Sequence, residues 1–195
     1  MLQSRYRATT ILIAANVACF LAQQGLGDMT IAPLALWPLD NGFMPWQVVS
    51  YAFLHGSVAH LFFNMFGLWM FGRELEIELG SRTFLLLYFA SVLSAALMQI
   101  LVSLVMGSAY PTIGASGGVF GVLLAFGMFF PKRIIVLLIP PIPMPARVFV
   151  ALYACIELFM GLTGTESDVA HFAHLGGMIG AYLLICFLRR RHFQA

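Results

Sequence analysis

The chain has 195 residues; 61% are hydrophobic, 9% are charged, and the net charge is +2. A soluble domain carries about 25% charged residues, so this much apolar side chain has no soluble interior to hide in, and composition excludes an ordinary soluble globule. Cys19, Cys155 and Cys186 are odd in number and each lies in an apolar run, which argues for buried small hydrophobes rather than a disulfide framework.

A membrane helix needs about 20 mostly apolar residues. In chain order the candidate spans are 8–25, 58–73, 82–106, 115–131, 146–163 and 170–188. The loop 26–57 is the longest non-spanning piece. Trp37, Phe43, Trp46, Tyr51 and Phe53 place it at the membrane interface rather than in water. Segment 134–145 is apolar, but Pro140, Pro141, Pro143 and Pro145 remove backbone donors and stop a helix, so it reads as a connection or a half-embedded piece. No long polar linker, charge block, low-complexity tract or repeat divides the chain. The expected fold class is all-α, a polytopic bundle of six transmembrane helices forming one domain over residues 1–195.

Charge placement orients that bundle. With six spans, all ten cations (Arg5, Arg7, Arg73, Arg82, Lys132, Arg133, Arg147, Arg189, Arg190 and Arg191) fall on one side. The opposite loops, 26–57, 107–114 and 164–169, hold no Lys or Arg; they carry Asp28, Asp40, Glu166 and Asp168. The positive-inside rule then puts both termini in the cytoplasm. A cleaved signal peptide at the N-terminus is the rival reading, since Arg5 and Arg7 precede an apolar run, but that run shows no clear small-residue cleavage site.

Polar side chains inside spans are costly and usually functional. His60, Asn64, Ser116 and His174 each lie near the non-cytoplasmic end of a span. At about 1.5 Å per residue, Ser116 stands about 24 Å above Lys132, His174 about 22 Å above Arg189, and His60 and Asn64 about 20 and 14 Å above Arg73. Three helices therefore bring polar chemistry to a similar level in the outer half of a core about 30 Å thick.

Each motif has a bland reading beside the chemical one. In Gly114-Ala115-Ser116-Gly117-Gly118-Val119-Phe120-Gly121 the serine opens a span among glycines, where free N–H groups and the positive helix end could hold an oxyanion. Gly117 and Gly121 also form the G-x-x-x-G packing pattern, which needs no chemistry. In Ala173-His174-Leu175-Gly176-Gly177-Met178-Ile179-Gly180-Ala181, Gly177 and Ala181 lie on the face of His174, so this helix can approach its neighbour closely. The imidazole could take a proton from Ser116, or simply be hydrogen-bonded at a helix end. His60 and Asn64, at i and i+4, share a face and can donate either to a developing oxyanion or between helices.

Taken together, these motifs resemble the rhomboid family of intramembrane serine proteases, from about Pro45 to Gly180. His60-x-x-x-Asn64 resembles the family's second-helix motif, Gly114-x-Ser116-Gly117 its nucleophile motif, and Ala173-His174-x-x-Gly177 its sixth-helix motif. Phe71-Gly72-Arg73-x-x-Glu76 with Leu79-Gly80 is similar to its second-helix exit. The resemblance implies an intramembrane serine endopeptidase that works through an acyl-enzyme, with Ser116 as nucleophile, His174 as base and no acid third member. It implies an oxyanion hole of His60, Asn64 and the Ser116 N–H, and Gly114, Phe120 and Trp46 at the substrate, with Phe120 able to stack on His174. Substrates would be single-span membrane proteins in the lipid bilayer of a bacterial inner membrane. The site would open as a small wet cavity to the outer side, and no cofactor, metal or nucleic acid is implied. The fifth span beside the second is the expected place of substrate entry. The length suggests the minimal bacterial form, without an extra domain or seventh span.

Several features depart from this picture or stand outside it. Many family members carry Trp-Arg in the first loop; here it reads Trp46-Gln47, which bears on loop stability or lipid contact. Asp168, six residues before His174, falls in the outer loop and is not added to the pair. Glu157 lies about 15 Å above Arg147, as a gate, a helix-pairing group or a structural carboxyl. His171 precedes His174 by three, but no His-Glu-x-x-His pattern supports a metal. The alternatives are a non-catalytic rhomboid-like protein that binds client helices, and a membrane cytochrome with His60 and His174 on haem. The cytochrome reading leaves Ser116 in its glycine nest unexplained.

Overall fold

Apolar runs, glycines and prolines cut the chain into helices. The computed structural model describes residues 6–26, 28–107, 110–136, 140–165 and 170–192. Helix α1 is Arg7–Leu26, α2 is Asp28–Leu34 and α3 is Gln47–Ser50, followed by a 3₁₀ turn, Tyr51–Phe53. Helix α4, Val58–Gly67, runs through a π-helical segment, Leu68–Gly72, into α5, Arg73–Leu79. Gly80, at φ +77°, breaks the chain before α6, Ser81–Met106. Then come α7, Ser116–Phe129, α8, Ala146–Thr163, and α9, His171–His192.

Four of these helices, α1, α6, α8 and α9 as far as Arg190, are long and apolar enough to cross a membrane. Their outer faces carry exposed large apolar side chains such as Leu101, Phe159 and Leu162, a surface that lipid rather than water solvates. Helix α7 is apolar but has only 14 residues, about 21 Å at the usual helical rise. The rod from Val58 to Leu79 is about 33 Å long and ends in the charged run Arg73-Glu74-Leu75-Glu76.

The segment around the prolines differs from the expected plain connection. Ile134–Val136 (β1) pairs antiparallel with Pro143–Pro145 (β2), Ile134 opposite Pro145 and Val136 opposite Pro143. A two-stranded ribbon tolerates proline because each strand has an unpaired edge.

Helices α6, α7 and α9 pack against one another as the centre of the bundle. Small residues make that possible, as in other membrane helices. A Cβ at Gly176 or Gly180 would stand 2.9 or 2.7 Å from the α6 carbonyls of Ser94 or Ala90. At Gly177 it would overlap the Gly117 carbonyl of α7.

The first loop is tied down by Gln47, which is fully buried. Its Oε1 accepts from the backbone N–H of Trp37 and Met44, and its Nε2 donates to the carbonyls of Pro33 and Gly42. A neutral amide thus holds the loop where the family often carries arginine. The loop is fastened to the bundle through Tyr51, whose hydroxyl donates to the Val92 carbonyl at 2.9 Å, and through the Leu36–Thr112 bridge.

At the opposite end, Glu76 joins three helices. Its carboxylate accepts from the backbone N–H of Ala8 and Thr9, both at 2.8 Å, from the Thr9 hydroxyl and from Ser81 Oγ. It therefore caps the N-terminus of α1, where N–H groups are free and negative charge is favoured. Arg133 pairs with Glu74 at 2.9 Å and Arg189 lies over the Phe129 ring, so the cationic ends of several helices gather here.

Replacing Glu76 with Ala leaves two buried N–H groups without a partner, at about 1–3 kcal/mol for such a group. The expected outcome is a clear fall in thermal midpoint in detergent, smaller for Glu76→Gln. Equal midpoints for wild type and Glu76→Ala would refute the capping role.

Candidate active site

Ser116 is the first residue of α7, and Gly114 makes the turn that delivers it. Gly114 sits at φ +128°, and its N–H donates to the Tyr51 carbonyl at 3.0 Å. A Cβ there would meet the His60 ring at 2.8 Å, so glycine is required both by the backbone and by the approach of His60. As the first helical residue, Ser116 keeps a backbone N–H with no intrahelical acceptor, pointing out of the helix start.

His174 lies in the first turn of α9. Its Nε2 is 2.8 Å from Ser116 Oγ. That distance follows from the glycine contact between α7 and α9, since Gly117 and Gly177 stand beside these two residues. The Phe120 ring stacks on the imidazole with centroids 4.2 Å apart and planes 4° from parallel, holding the ring plane along the line to the serine.

His60 and Asn64 come from α4. Ser57 caps that helix, its Oγ accepting from the His60 N–H at 3.0 Å. The Gly56 N–H makes a long contact, 3.5 Å, to His60 Nδ1, which leaves Nε2 as the nitrogen that carries the hydrogen. One Asn64 amide hydrogen goes to the His60 carbonyl at 3.0 Å, and the amide has a second to give. His60, Asn64, Ser116, Phe120 and His174 all line one cavity of about 1020 Å³. The cavity runs between α4 and α8, from Gly56, Thr112 and Ala170 at one end to Ile135 and Val136 of β1 at the other.

Some expected positions come out differently. Trp46 is 54% exposed, and its indole N–H donates to the Pro33 carbonyl. It does not line the cavity, because it is turned back onto its own loop; nor does Gly114, which shapes the turn behind His60 and Ser116 instead. Asp168 lies outside the described residues.

A further departure concerns the base. The resemblance implies a histidine without an acid, yet the Glu157 carboxylate of α8 lies 2.8 Å from His174 Nδ1. The same oxygen, Oε2, lies 2.7 Å from His171 Nδ1. The sequence carried a signal for this: Phe149, Tyr153 and Glu157 follow at i, i+4 and i+8, so Glu157 continues the face of α8 that holds the two aromatic rings. Phe149 and Glu157 are buried there while most of the surrounding helix is exposed.

Glu157, His171 and His174 offer ligand atoms within 4.8 Å of one another, a set able to hold a metal ion. Ligation would require Nδ1 of His174 without its hydrogen. The remaining hydrogen would then sit on Nε2, which could not accept one from Ser116. Metal binding at this set and a base role for His174 are therefore mutually exclusive.

His55, in the loop before α4, is buried beside His60, with ring centroids 5.0 Å apart. Burial first, and His60 second, push its pKa from 6.5 to about 4. The folded protein keeps this ring neutral while the unfolded chain takes up a proton below about 6.5, so stability is lost as pH falls from about 6.5 toward about 4. The thermal midpoint of the wild type should drop between pH 7 and pH 5, and less so for His55→Asn; parallel curves would dismiss His55 as the source. Gly177→Ala forces α9 off α7, with an overpacking cost of about 1–3 kcal/mol. A Gly177→Ala protein with wild-type midpoint would show that the glycine contact carries no weight.

Comparison with known proteins agrees with these motifs. A model of the rhomboid domain matches residues 42–191. The chain is 37% identical over 159 residues to rhomboid protein 1, mitochondrial, of Saccharomyces cerevisiae, covering 76% of this chain and 45% of that protein. It is 30% identical over 189 residues to rhomboid protease GlpG of Serratia proteamaculans, covering 93% and 62%, and 29% identical over 139 residues to rhomboid protease GluP of Bacillus subtilis, covering 70% and 25%. It thus spans from a quarter to about three fifths of the length of these relatives. With the domain match running through every motif from His60 to Gly180, the chain is an integral membrane protein that belongs to the rhomboid family.

Proposed function

We propose that the chain is an intramembrane serine endopeptidase that cleaves single-span membrane proteins within or beside their membrane segment. The observation that carries this reading is the 2.8 Å contact between Ser116 Oγ and His174 Nε2 at the wall of a cavity shared with His60 and Asn64. A serine hydroxyl is a weak nucleophile until a neighbouring base can take its proton.

In the proposed reaction Ser116 Oγ attacks the scissile carbonyl carbon as its proton passes to His174 Nε2. The negative charge that develops on the carbonyl oxygen is met by His60 Nε2–H, the free Asn64 amide hydrogen and the Ser116 N–H. Such donors act strongly because the site is fixed before the charge appears, and the loss of one costs about 10²–10³ in rate in other hydrolases. His174 then gives its proton to the leaving amine. A water molecule, deprotonated by His174, releases the acyl group and restores Ser116.

The membrane arrangement belongs to the same proposal. One domain crosses a bacterial inner membrane six times, with the Val58–Leu79 rod and α7 as the second and fourth crossings. The short α7 starts below the outer surface, which puts Ser116 within the membrane and requires water to reach it through the cavity. The gathering of Arg133, Arg189 and the start of α1 near Glu76 supports cytoplasmic termini. The cleft between α4 and α8 is the way in for a substrate helix.

The test is cleavage of a single-span model substrate by purified protein in detergent, with Ser116→Ala beside it. Wild type should cut, and Ser116→Ala should fall by at least about 10³-fold. Equal cutting by both would eliminate Ser116 as nucleophile. A folded but inert wild type would favour a client-binding role instead.

A further inference from the structure

A carboxylate deep in a membrane bundle is expensive unless neighbouring groups share its charge. Glu157 has two imidazoles on one oxygen. His171 Nε2 faces the Thr165 carbonyl at 3.1 Å. A carbonyl has no hydrogen to give, so Nε2 is the donor. A single proton then lies between His171 Nδ1 and Glu157 Oε2, and the two residues together are neutral whichever atom holds it. His171 thereby keeps the carboxyl group in place without a stray charge.

The consequence falls on His174. Nδ1 faces the carboxylate oxygen and so carries the hydrogen, which leaves the Nε2 lone pair aimed at Ser116 Oγ. This is the tautomer that a general base requires, and a buried acid behind a histidine both selects it and stabilises the imidazolium that forms. Phe120 fixes the ring plane and Glu157 fixes the rotation within that plane.

We infer that Glu157 of α8, held by His171, is a positioning residue for His174, completing a Ser116–His174–Glu157 relay in place of a bare pair. The inference rests on the reading of Ser116 as nucleophile. During acylation the Ser116 Oγ–H proton moves to His174 Nε2 as the Oγ–C bond forms; the Nδ1 hydrogen stays on His174, and Glu157 neither gains nor loses a proton. Because Glu157 belongs to α8, which flanks the cavity, the base is correctly oriented only while the outer half of α8 lies against α9.

A carboxyl that merely latches α8 to α9 makes a different forecast, which separates the two roles. The measurements are the labelling rate of Ser116 by a small fluorophosphonate, kcat and KM on the model substrate, and the thermal midpoint, for wild type, Glu157→Gln and Glu157→Asp. Gln keeps shape but carries no charge, and its amide cannot both share a proton with His171 and accept from His174 at one atom; Asp keeps the carboxyl group at shorter reach. A positioning role predicts that Glu157→Gln loses at least about 10-fold in both labelling rate and kcat with KM within about twofold, and that Glu157→Asp retains more activity than Gln despite the poorer fit. Labelling of Glu157→Gln within twofold of wild type, or variants that change KM alone, would overturn it in favour of a latch. Should Gln prove unfolded by its midpoint, the comparison of Asp with wild type decides: unchanged labelling and kcat with altered KM also overturns it. A wild type that is not labelled at Ser116 removes the nucleophile reading itself and this inference with it, an outcome distinct from labelled wild type and equally labelled variants.

Discussion

The site depends on one close approach, the backbone contact between α7 and α9 at Gly117 and Gly177. There is no room for a Cβ at Gly177, because it would overlap the Gly117 carbonyl. Lipid gives helices no hydrophobic reason to associate, so contact must be won by van der Waals packing at short range. Glycine at both positions allows this. Ser116 adjoins one of the glycines and His174 stands one turn before the other, so the Ser116–His174 distance is set by main-chain packing rather than by flexible side chains. Gly121 extends the constraint to α6, where any Cβ would overlap Ser91. The three central helices thus behave as one rigid body that carries the serine and the histidine.

Two carboxyl groups, at opposite ends of that body, show how buried charge is accommodated. Glu76 meets the start of α1 and is satisfied by backbone and hydroxyl donors. It needs no cation because a helix N-terminus already supplies positive potential. Glu157 takes no backbone N–H in these contacts and is satisfied by two imidazoles from the first turn of α9 instead. The first solution is static, since its donors belong to secondary structure. The second ties the protonation and orientation of a histidine to a side chain on another helix, and any displacement of that helix is felt at the histidine.

Legibility from sequence followed the length of the signal. Long apolar runs gave helix bounds close to the observed ones, as with 82–106 against Ser81–Met106 and 146–163 against Ala146–Thr163. The hairpin at 134–145 was not legible, because prolines announce the end of a helix and say nothing about strand pairing eleven residues apart. His60, Asn64, Ser116 and His174 were legible because each is a polar residue in an apolar span, and the structure brings all four to one cavity. Glu157 was visible by the same rule, but its partner was not: nothing in sequence spacing ties a residue on α8 to one on α9. Trp46 was misplaced because an aromatic in an interfacial loop can face either lipid or its own loop, and its indole N–H found the Pro33 carbonyl. Gln47 was read as a loss relative to the family's arginine, yet an amide offers both a donor and an acceptor, and the loop closes around both.

On the proposed reading, the division between rigid and loose parts bears on how a substrate could be admitted without loss of the site's geometry. Helices α6, α7 and α9 are locked by glycine contacts at main-chain distance. Helices α4 and α8 flank the cavity and meet it with large side chains, Phe62, Phe63 and Phe66 on one side and Phe149 and Tyr153 on the other. Side chains of this kind can repack at small cost, whereas a glycine contact cannot shift without being lost. Movement is thus cheapest where the cavity lies, and it spares the Ser116–His174 distance. It does not spare the Glu157–His174 contact, which crosses from the loose part to the rigid one. On the proposed reading, a base oriented from α8 is competent only while that helix lies against α9, so the contact that seats His174 would also report whether the cleft is closed.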